Sequence, residues 1–359
     1  IGDLDGDGNL EIVVGTNEAI NESLSLVYAF SFDKDANKPV RYRDDCGSAG
    51  NYKNCFPIQM VGGYPNALPY VGAGTPGCPV LADLDGDGTL EVGAASIADF
   101  GRIFKHDGYN SFDTYDRAHL ELKSFKGFYG KYSNSDQASS LVMINSGAFG
   151  DLNGDYQLDY MLGTAGTNFV DNLTNDGERA DFDHQLSVWS TDTGEYLPGF
   201  PQIMEDLQFF LNPIVADVDG DDKAEVINTS ASFVVHAWDA DGNRPENWPK
   251  FTGQWQIASP AVGDIDGDGL LEMAIFTRAG YLFVYDLDGK ADGNVQWSSF
   301  RHDARNTGNF HTADATLAVP VKPDEDKEDG GCACGTTTPS AWVLMLLAIF
   351  FRRFRRRAA

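Results

Sequence analysis

Nineteen carboxylates and one asparagine stand in five loops of a single spacing. The fifth loop reads Asp264-Ile265-Asp266-Gly267-Asp268-Gly269-Leu270-Leu271-Glu272, with acids at positions one, three, five and nine and glycine at four and six. The other copies carry Asp3, Asp5, Asp7 and Glu11; Asp83, Asp85, Asp87 and Glu91; Asp151, Asn153, Asp155 and Asp159; and Asp217, Asp219, Asp221 and Glu225. Alternate side chains of a tight loop converge on one point, and a hard cation such as Ca²⁺ takes about six to eight oxygens there. Position seven (Asn9, Thr89, Gln157, Lys223 and Leu270) offers its backbone carbonyl, and position nine closes the shell. Zn²⁺ would require His or Cys, which the loops lack. Up to five Ca²⁺ ions are therefore expected. The third loop has Asn153 for Asp and Tyr156 at the glycine position, and the fourth has Asp222 there. A bulky tyrosine tolerates positive φ poorly, so the third site is expected to be the weakest.

The elements that would hold these loops recur with them. The loops begin at residues 3, 83, 151, 217 and 264, at spacings of 80, 68, 66 and 47, which means an array or a propeller. A small-residue strand leads in, as in Cys78-Pro79-Val80-Leu81-Ala82, and a β-rich strand leads out, as in Ile12-Val13-Val14-Gly15-Thr16. A third, alternating segment follows, such as Leu26–Phe30, Leu186–Trp189, Val234–Trp238 or Leu282–Tyr285. An aromatic or aromatic-proline segment closes the unit: Gly199-Phe200-Pro201, Trp248-Pro249 and Trp297-Ser298-Ser299-Phe300. About four short strands per unit read as a β-propeller blade. The fold class expected is all-β, a propeller of four-stranded blades with about five present, plus a C-terminal hydrophobic helix. An EF-hand would need glutamate at position twelve, where Val14, Ala94, Leu162, Asn228 and Ile275 stand, and flanking helices besides. Dockerin-type repeats fail on the same helical requirement, and thrombospondin-type Ca²⁺ repeats recur far more densely.

Composition agrees. The chain of 359 residues has 26 basic and 54 acidic residues, a net charge of −28. Nucleic-acid binding needs basic patches, so it is excluded as a partner. A hydrophobic fraction of 42% argues against acidic disorder. Five divalent cations would offset ten of the excess negative charges. Cys46 and Cys55 bracket a short Gly/Asn-rich loop and would close a disulfide in an oxidising compartment. Cys78 is expected to be a buried thiol. The chain starts inside a repeat without a signal peptide, so the natural protein is expected to extend upstream. Insertions at Asn37–Gly77, Asp99–Asn145 and Gly166–Asp183 break the period and are candidate binding loops.

The loops, the Pro260-Ala261-Val262-Gly263-Asp264 lead-in and Phe149-Gly150-Asp151 resemble the FG-GAP/VCBS family, whose Ca²⁺-binding blades also build the propellers of integrin α-subunits. The segment Trp297, Phe300-Arg301-His302-Asp303, Thr307-Gly308 is similar to the closing segment of bacterial members. The resemblance covers roughly residues 1–310. It implies that each loop joins the first two strands of a blade and that the bound Ca²⁺ is structural.

The C-terminus is a separate region. Residues 1–312 are assigned to the propeller, 313–331 to a Pro/acidic linker, and 332–359 to a cysteine motif, short transmembrane helix and Arg-rich tail. Sixteen residues, Thr336–Phe351, would reach about 24 Å as a helix, against about 30 Å of hydrocarbon. Five arginines beyond it place that end in the cytoplasm and the propeller outside. Cys332, Cys334, the hydrophobic span and the Arg-rich end resemble the MYXO-CTERM sorting signal of myxobacteria-like bacteria. The resemblance implies a sorting protease, transient residence in the inner membrane and a final place at the cell surface or outer membrane, with either cysteine as the key residue.

No nucleophile elbow or zinc-protease motif is present. Gly72-Ala73-Gly74-Thr75-Pro76-Gly77 matches a dinucleotide fingerprint, but a β lead-in follows it where a helix is required. His236 and His302 are expected to be structural. The functional expectation is an adhesion or ligand-binding propeller whose partner is a protein or a glycan. The alternative is a polysaccharide lyase, for which Lys123, Lys126, Tyr129, Lys131 and Tyr132 are the local candidates.

Overall fold

In the computed structural model the described residues are 1–16, 26–35, 37–42, 56–59, 74–95, 101–108, 140–141, 145–166 and 184–312, all within the compact unit Ile1–Pro320. They form twenty strands in five antiparallel sheets and no helix. The C-terminal helix, the Cys46–Cys55 pair and most of the three insertions lie outside the described residues. Among the described residues no helix is long and apolar enough to cross a membrane.

The first sheet contains β1 (Ile12–Gly15), β2 (Leu26–Asp33), β3 (Lys38–Arg41) and β4 (Ile58–Gln59), the last two both beside β2. The second contains β5 (Val80–Ala82), β6 (Glu91–Ala95) and β7 (Gly101–Phe104). The third contains β8 (Ser140–Leu141), β9 (Ala148–Gly150), β10 (Asp159–Gly166), β11 (Gln185–Ser190) and β12 (Gln202–Ile203). The fourth has β13 (Ile214–Ala216), β14 (Glu225–Thr229), β15 (Val234–Trp238) and β16 (Lys250–Phe251) in order, and the fifth has β17 (Ala261–Gly263), β18 (Leu270–Phe276) and β19 (Leu282–Lys290). The lead-in, lead-out and third segments read from the sequence are thus strands. Each acidic loop joins the lead-in edge of its sheet to the next strand, and in the first sheet the lead-in survives as a single bridge, Gly2↔Glu11.

Packing runs through the sheets in chain order. Val27, Ala29, Leu81, Val92 and Phe104 form a core between the first two sheets, and a larger core joins the second through fifth. Strands buried on both faces need apolar residues at successive positions, and β6 and β14 are buried along their whole length. An aromatic ladder fixes the third sheet, with ring centroids 5.2 Å apart for Phe149–Tyr160, 6.1 Å for Tyr160–Trp189 and 5.4 Å for Trp189–Tyr196. Gly289 lets the fifth sheet approach the fourth acidic loop, since a Cβ there would sit 1.9 Å from the Asp217 carbonyl oxygen.

The closing segment departs from expectation. Trp297 belongs to β20 (Val295–Trp297), which does not complete the fifth sheet but pairs with β13 at the leading edge of the fourth. From there residues 295–310 touch the leading edge of every sheet. Gln296 brackets the Asp151 backbone, accepting its N–H at 2.6 Å and donating to its carbonyl at 2.9 Å. Ser298 O accepts the Val262 N–H at 2.8 Å, and Arg301 N donates to Asn212 Oδ1 at 3.3 Å. Gly308 O accepts the Leu81 N–H, and Ile1 N donates to Thr307 O at 2.6 Å. Sheet edges converge here with unpaired backbone groups, and this segment satisfies them. Cys78 is half-buried rather than buried, because it lies in the open turn before β5, where its N–H donates to Ser146 Oγ.

Candidate metal centres

All five loops share one hydrogen-bond framework. Both carboxylate oxygens at position one accept loop N–H groups; in the fifth loop Asp264 takes those of Gly267 at 2.6 Å and Gly269 at 3.1 Å. At position five Asp7, Asp87, Asp155, Asp221 and Asp268 each accept the N–H of position seven, at 2.7 Å or 2.8 Å. At position nine one oxygen accepts the N–H of position two: Leu4 to Glu11 at 3.0 Å, Leu84 to Glu91 at 2.8 Å, Leu152 to Asp159 at 3.0 Å, Val218 to Glu225 at 2.9 Å and Ile265 to Glu272 at 2.6 Å. The chain thereby wraps each loop around the closing acid. Position six requires positive φ. Gly8, Gly88 and Gly269 adopt it freely, while Tyr156 (64°) and Asp222 (67°) adopt it at a steric cost.

The framework aims the remaining oxygens inward. Asp3, Asp5 and Glu11; Asp83, Asp85 and Glu91; Asp217, Asp219 and Glu225; and Asp264, Asp266 and Glu272 each bring three carboxylate oxygens within 4.8 Å of one another. Oxygens at about 2.3–2.6 Å from one ion can be no farther apart than about 5 Å, so each group fits a single hard cation. Glu91 is 3% exposed and its Oε1 has no hydrogen-bond partner, a buried acceptor that a cation would satisfy. Position five is not in these groups; its carboxylate holds the N–H of position seven. The third loop lacks a carboxylate triad. Asn153 takes position three and donates to Asp155 Oδ2 at 3.1 Å, while Asp151 and Asp159 keep the places of their counterparts.

The electrostatics separate these positions. Burial, with the neighbouring loop acids adding to it, pushes Glu91 up to about 7 and Glu225 up to about 8, and drives Asp159 well above the carboxylate range. Burial also raises Glu11. Hydrogen bonds from Asn9 and Thr89 hold Asp7 and Asp87 below the usual range. Without a cation, burial thus favours the protonated form of Glu91, Glu225 and Asp159, at the place where a cation would supply positive charge.

Three partners of the loops escaped the sequence reading. Ser31 Oγ donates to Glu11 Oε1 at 3.2 Å, Lys34 Nζ donates to Asn9 Oδ1 at 2.7 Å, and Lys105 Nζ lies 3.4 Å from Asp85 Oδ2. Strand register is what brings them in, and spacing along the chain does not carry it. His236 is buried with Nε2 at 2.7 Å and 2.8 Å from the Glu205 oxygens, and His302 packs edge-on against Trp297 beside Asp303. Gly74–Gly77 of the glycine-rich stretch leads into β5, not a helix. Lys123, Lys126, Tyr129, Lys131, Tyr132, Cys332 and Cys334 lie outside the described residues.

No family model and no curated protein matches the sequence. Among solved structures, the chain is similar to the Bacillus licheniformis rhamnogalacturonan lyase PL11, with a TM-score of 0.39 and 14% identity over 76% of this chain and 50% of that one. It is also similar to the V. cholerae biofilm matrix protein Bap1, with a TM-score of 0.34 and 17% identity over 73% of this chain and 40% of that one. For BBS1N, solved in complex with ARL6DN, the TM-score is 0.29 and identity 12%, over 79% of this chain and 76% of that one. The chain thus spans about half or less of the length of the first two.

Proposed function

We propose that this chain is a calcium-fastened β-propeller of the FG-GAP/VCBS type, displayed at the cell surface, where it binds a protein or glycan ligand. One observation carries the reading: five loops with the same backbone framework each bury a closing acid at the edge of a sheet. Acid that is buried and repeated on every sheet costs stability unless a cation answers it. Oxygen-only ligands, a tight loop and at most four inward side chains favour Ca²⁺ over Zn²⁺ or a Mg²⁺ site. In this reading the five sheets are consecutive blades, and the ligand meets the insertions between them rather than the metal loops. The C-terminal cysteine, apolar and arginine segments serve as the export and sorting signal, through Cys332 or Cys334.

An array of glycans and extracellular proteins, probed with the chain in calcium and in EGTA, tests the reading. Calcium-dependent capture of one ligand class is expected. Equal retention of nothing in both conditions would overturn it, and release of unsaturated oligosaccharide from a polyuronide would replace binding by lyase chemistry.

A further inference from the structure

Three of the five loops have the same side chains at every acid and glycine position: those beginning at Asp3, Asp83 and Asp264. They differ in the residue that faces the closing glutamate from the third strand of the sheet. In the fifth sheet Asp286 stands directly opposite Glu272. In the first, the register Ile12↔Phe30 runs on to Glu11 and Ser31, whose hydroxyl donates to Glu11 Oε1 at 3.2 Å. In the second, Val92↔Phe104 runs on to Glu91 and Lys105. Lys105 Nζ lies 3.4 Å from Asp85 Oδ2 and 3.9 Å from Asp87 Oδ2. One position thus carries a negative, a neutral and a positive side chain against three loops that share every acid and glycine and differ besides at position seven, where Lys34 Nζ reaches Asn9 of the first loop at 2.7 Å.

The second loop is also the one whose buried Glu91 Oε1 lacks any partner. Lys105 does not satisfy that oxygen. Its ammonium sits over Asp85 and Asp87, lending charge to the carboxylates that a divalent cation would share, and it is repelled once that cation arrives. The turn Lys105–Gly108, closed by the Gly108 N–H on the Lys105 carbonyl at 2.8 Å, fixes the root of the side chain beside the loop. Among the described residues no lysine or arginine pairs with a carboxylate of the fifth loop.

We infer that the third-strand residue facing the closing glutamate grades these loops in affinity for a divalent cation, in the order fifth, first, second, with Lys105 acting as a built-in competitor of the cation. The inference rests on the divalent-cation reading of the loops. A partly exposed pair of this kind shifts an equilibrium by roughly two- to fivefold, and repulsion between the ammonium and the bound ion adds to it.

Calorimetric titration of the full chain with calcium tests the grading. Lys105→Ser is expected to tighten one site by roughly three- to tenfold and Asp286→Ser to loosen another by a similar factor. Lys105→Arg, which keeps the charge, should leave the isotherm close to that of the parent. In an Asp83→Asn background, where the second loop is disabled, Lys105→Ser should change nothing further. A parent chain that takes up no calcium overturns the metal reading and the grading with it. A parent that binds calcium, with every site unmoved by both Lys105→Ser and Asp286→Ser, overturns the grading alone.

Discussion

Glu225 and Glu91 end their loops inside the edge of a sheet, where burial raises their pKa to about 8 and about 7. In the unfolded chain the same side chains titrate near the ordinary glutamate value, about 4.3. The folded, metal-free protein therefore binds more protons than the unfolded chain between about pH 4.5 and pH 8, and its stability falls as pH rises through that window. A bound cation reverses the preference, since it favours the ionised form. Urea unfolding of the chelated, desalted protein should show the midpoint dropping from about pH 5 to pH 8, whereas saturating calcium should abolish the drop. Glu225→Gln, neutral at every pH, should flatten part of the metal-free slope. A metal-free midpoint that holds constant or rises over this range would mean that these acids are not buried as neutral groups. At this scale the sequence was most informative: spacing and residue type named the loops, and the acids at positions one, three and nine come together in four of them, because a nine-residue loop carries its own geometry. It did not separate their roles. That Asp268 holds the Leu270 N–H while Glu272 turns one oxygen inward depends on backbone direction.

Residues 295–310 show how an element acquires a role that no local pattern carries. The segment reads as the last strand of a fifth unit, but β20 lies on the edge of the fourth sheet and the chain beyond it reaches the other sheet edges in turn. Gln296 is the clearest joint. It is fully buried, and its amide replaces a strand partner for both backbone groups of Asp151. Gln296→Ala would leave a buried N–H and a buried carbonyl unsatisfied, at a cost of about 2–4 kcal/mol. Urea unfolding at fixed calcium should show that loss, while Gln254→Ala, at an exposed side chain between sheets, should stay within about 0.5 kcal/mol of the parent. Equal midpoints for the two variants would remove the segment's role in joining the sheets. The strands themselves were legible because β-branched and aromatic alternation is local. The position of Lys105 beside the second loop and of Gln296 beside the third was not, since each follows from a pairing register or a crossing between sheets.

The array as a whole is unequal at its ends. The inner strands β6, β13 and β14 are buried along their whole length, but in β1 Ile12 and Val14 are 45% and 43% exposed, and in β19 Leu282 and Val284 are 60% and 47% exposed. A sheet meant to face water on one side alternates apolar and polar residues, yet both end sheets carry apolar residues on both faces. Cohesion between the sheets therefore weighs heavily on the loop end. There Leu90 N donates to Leu4 O at 3.0 Å between the first and second loops, and Asp288 N of the fifth sheet donates to Val218 O of the fourth loop at 3.2 Å. A cation that orders a loop also orders these links to its neighbour. At about 2 mM calcium and a Kd of about 0.1 mM, each site would contribute about 1.8 kcal/mol. Five independent sites of that kind would contribute about 9 kcal/mol, comparable with the stability of a typical domain. For the roughly 220 described residues that corresponds to a rise in Tm of about 20 °C. Thermal melts followed by circular dichroism in EGTA and in 2 mM calcium should differ by that amount, and magnesium at the same concentration should restore only a small part of it, because it demands a smaller octahedral shell. Superimposable melts in EGTA and calcium would make the loops acidic turns that fasten nothing.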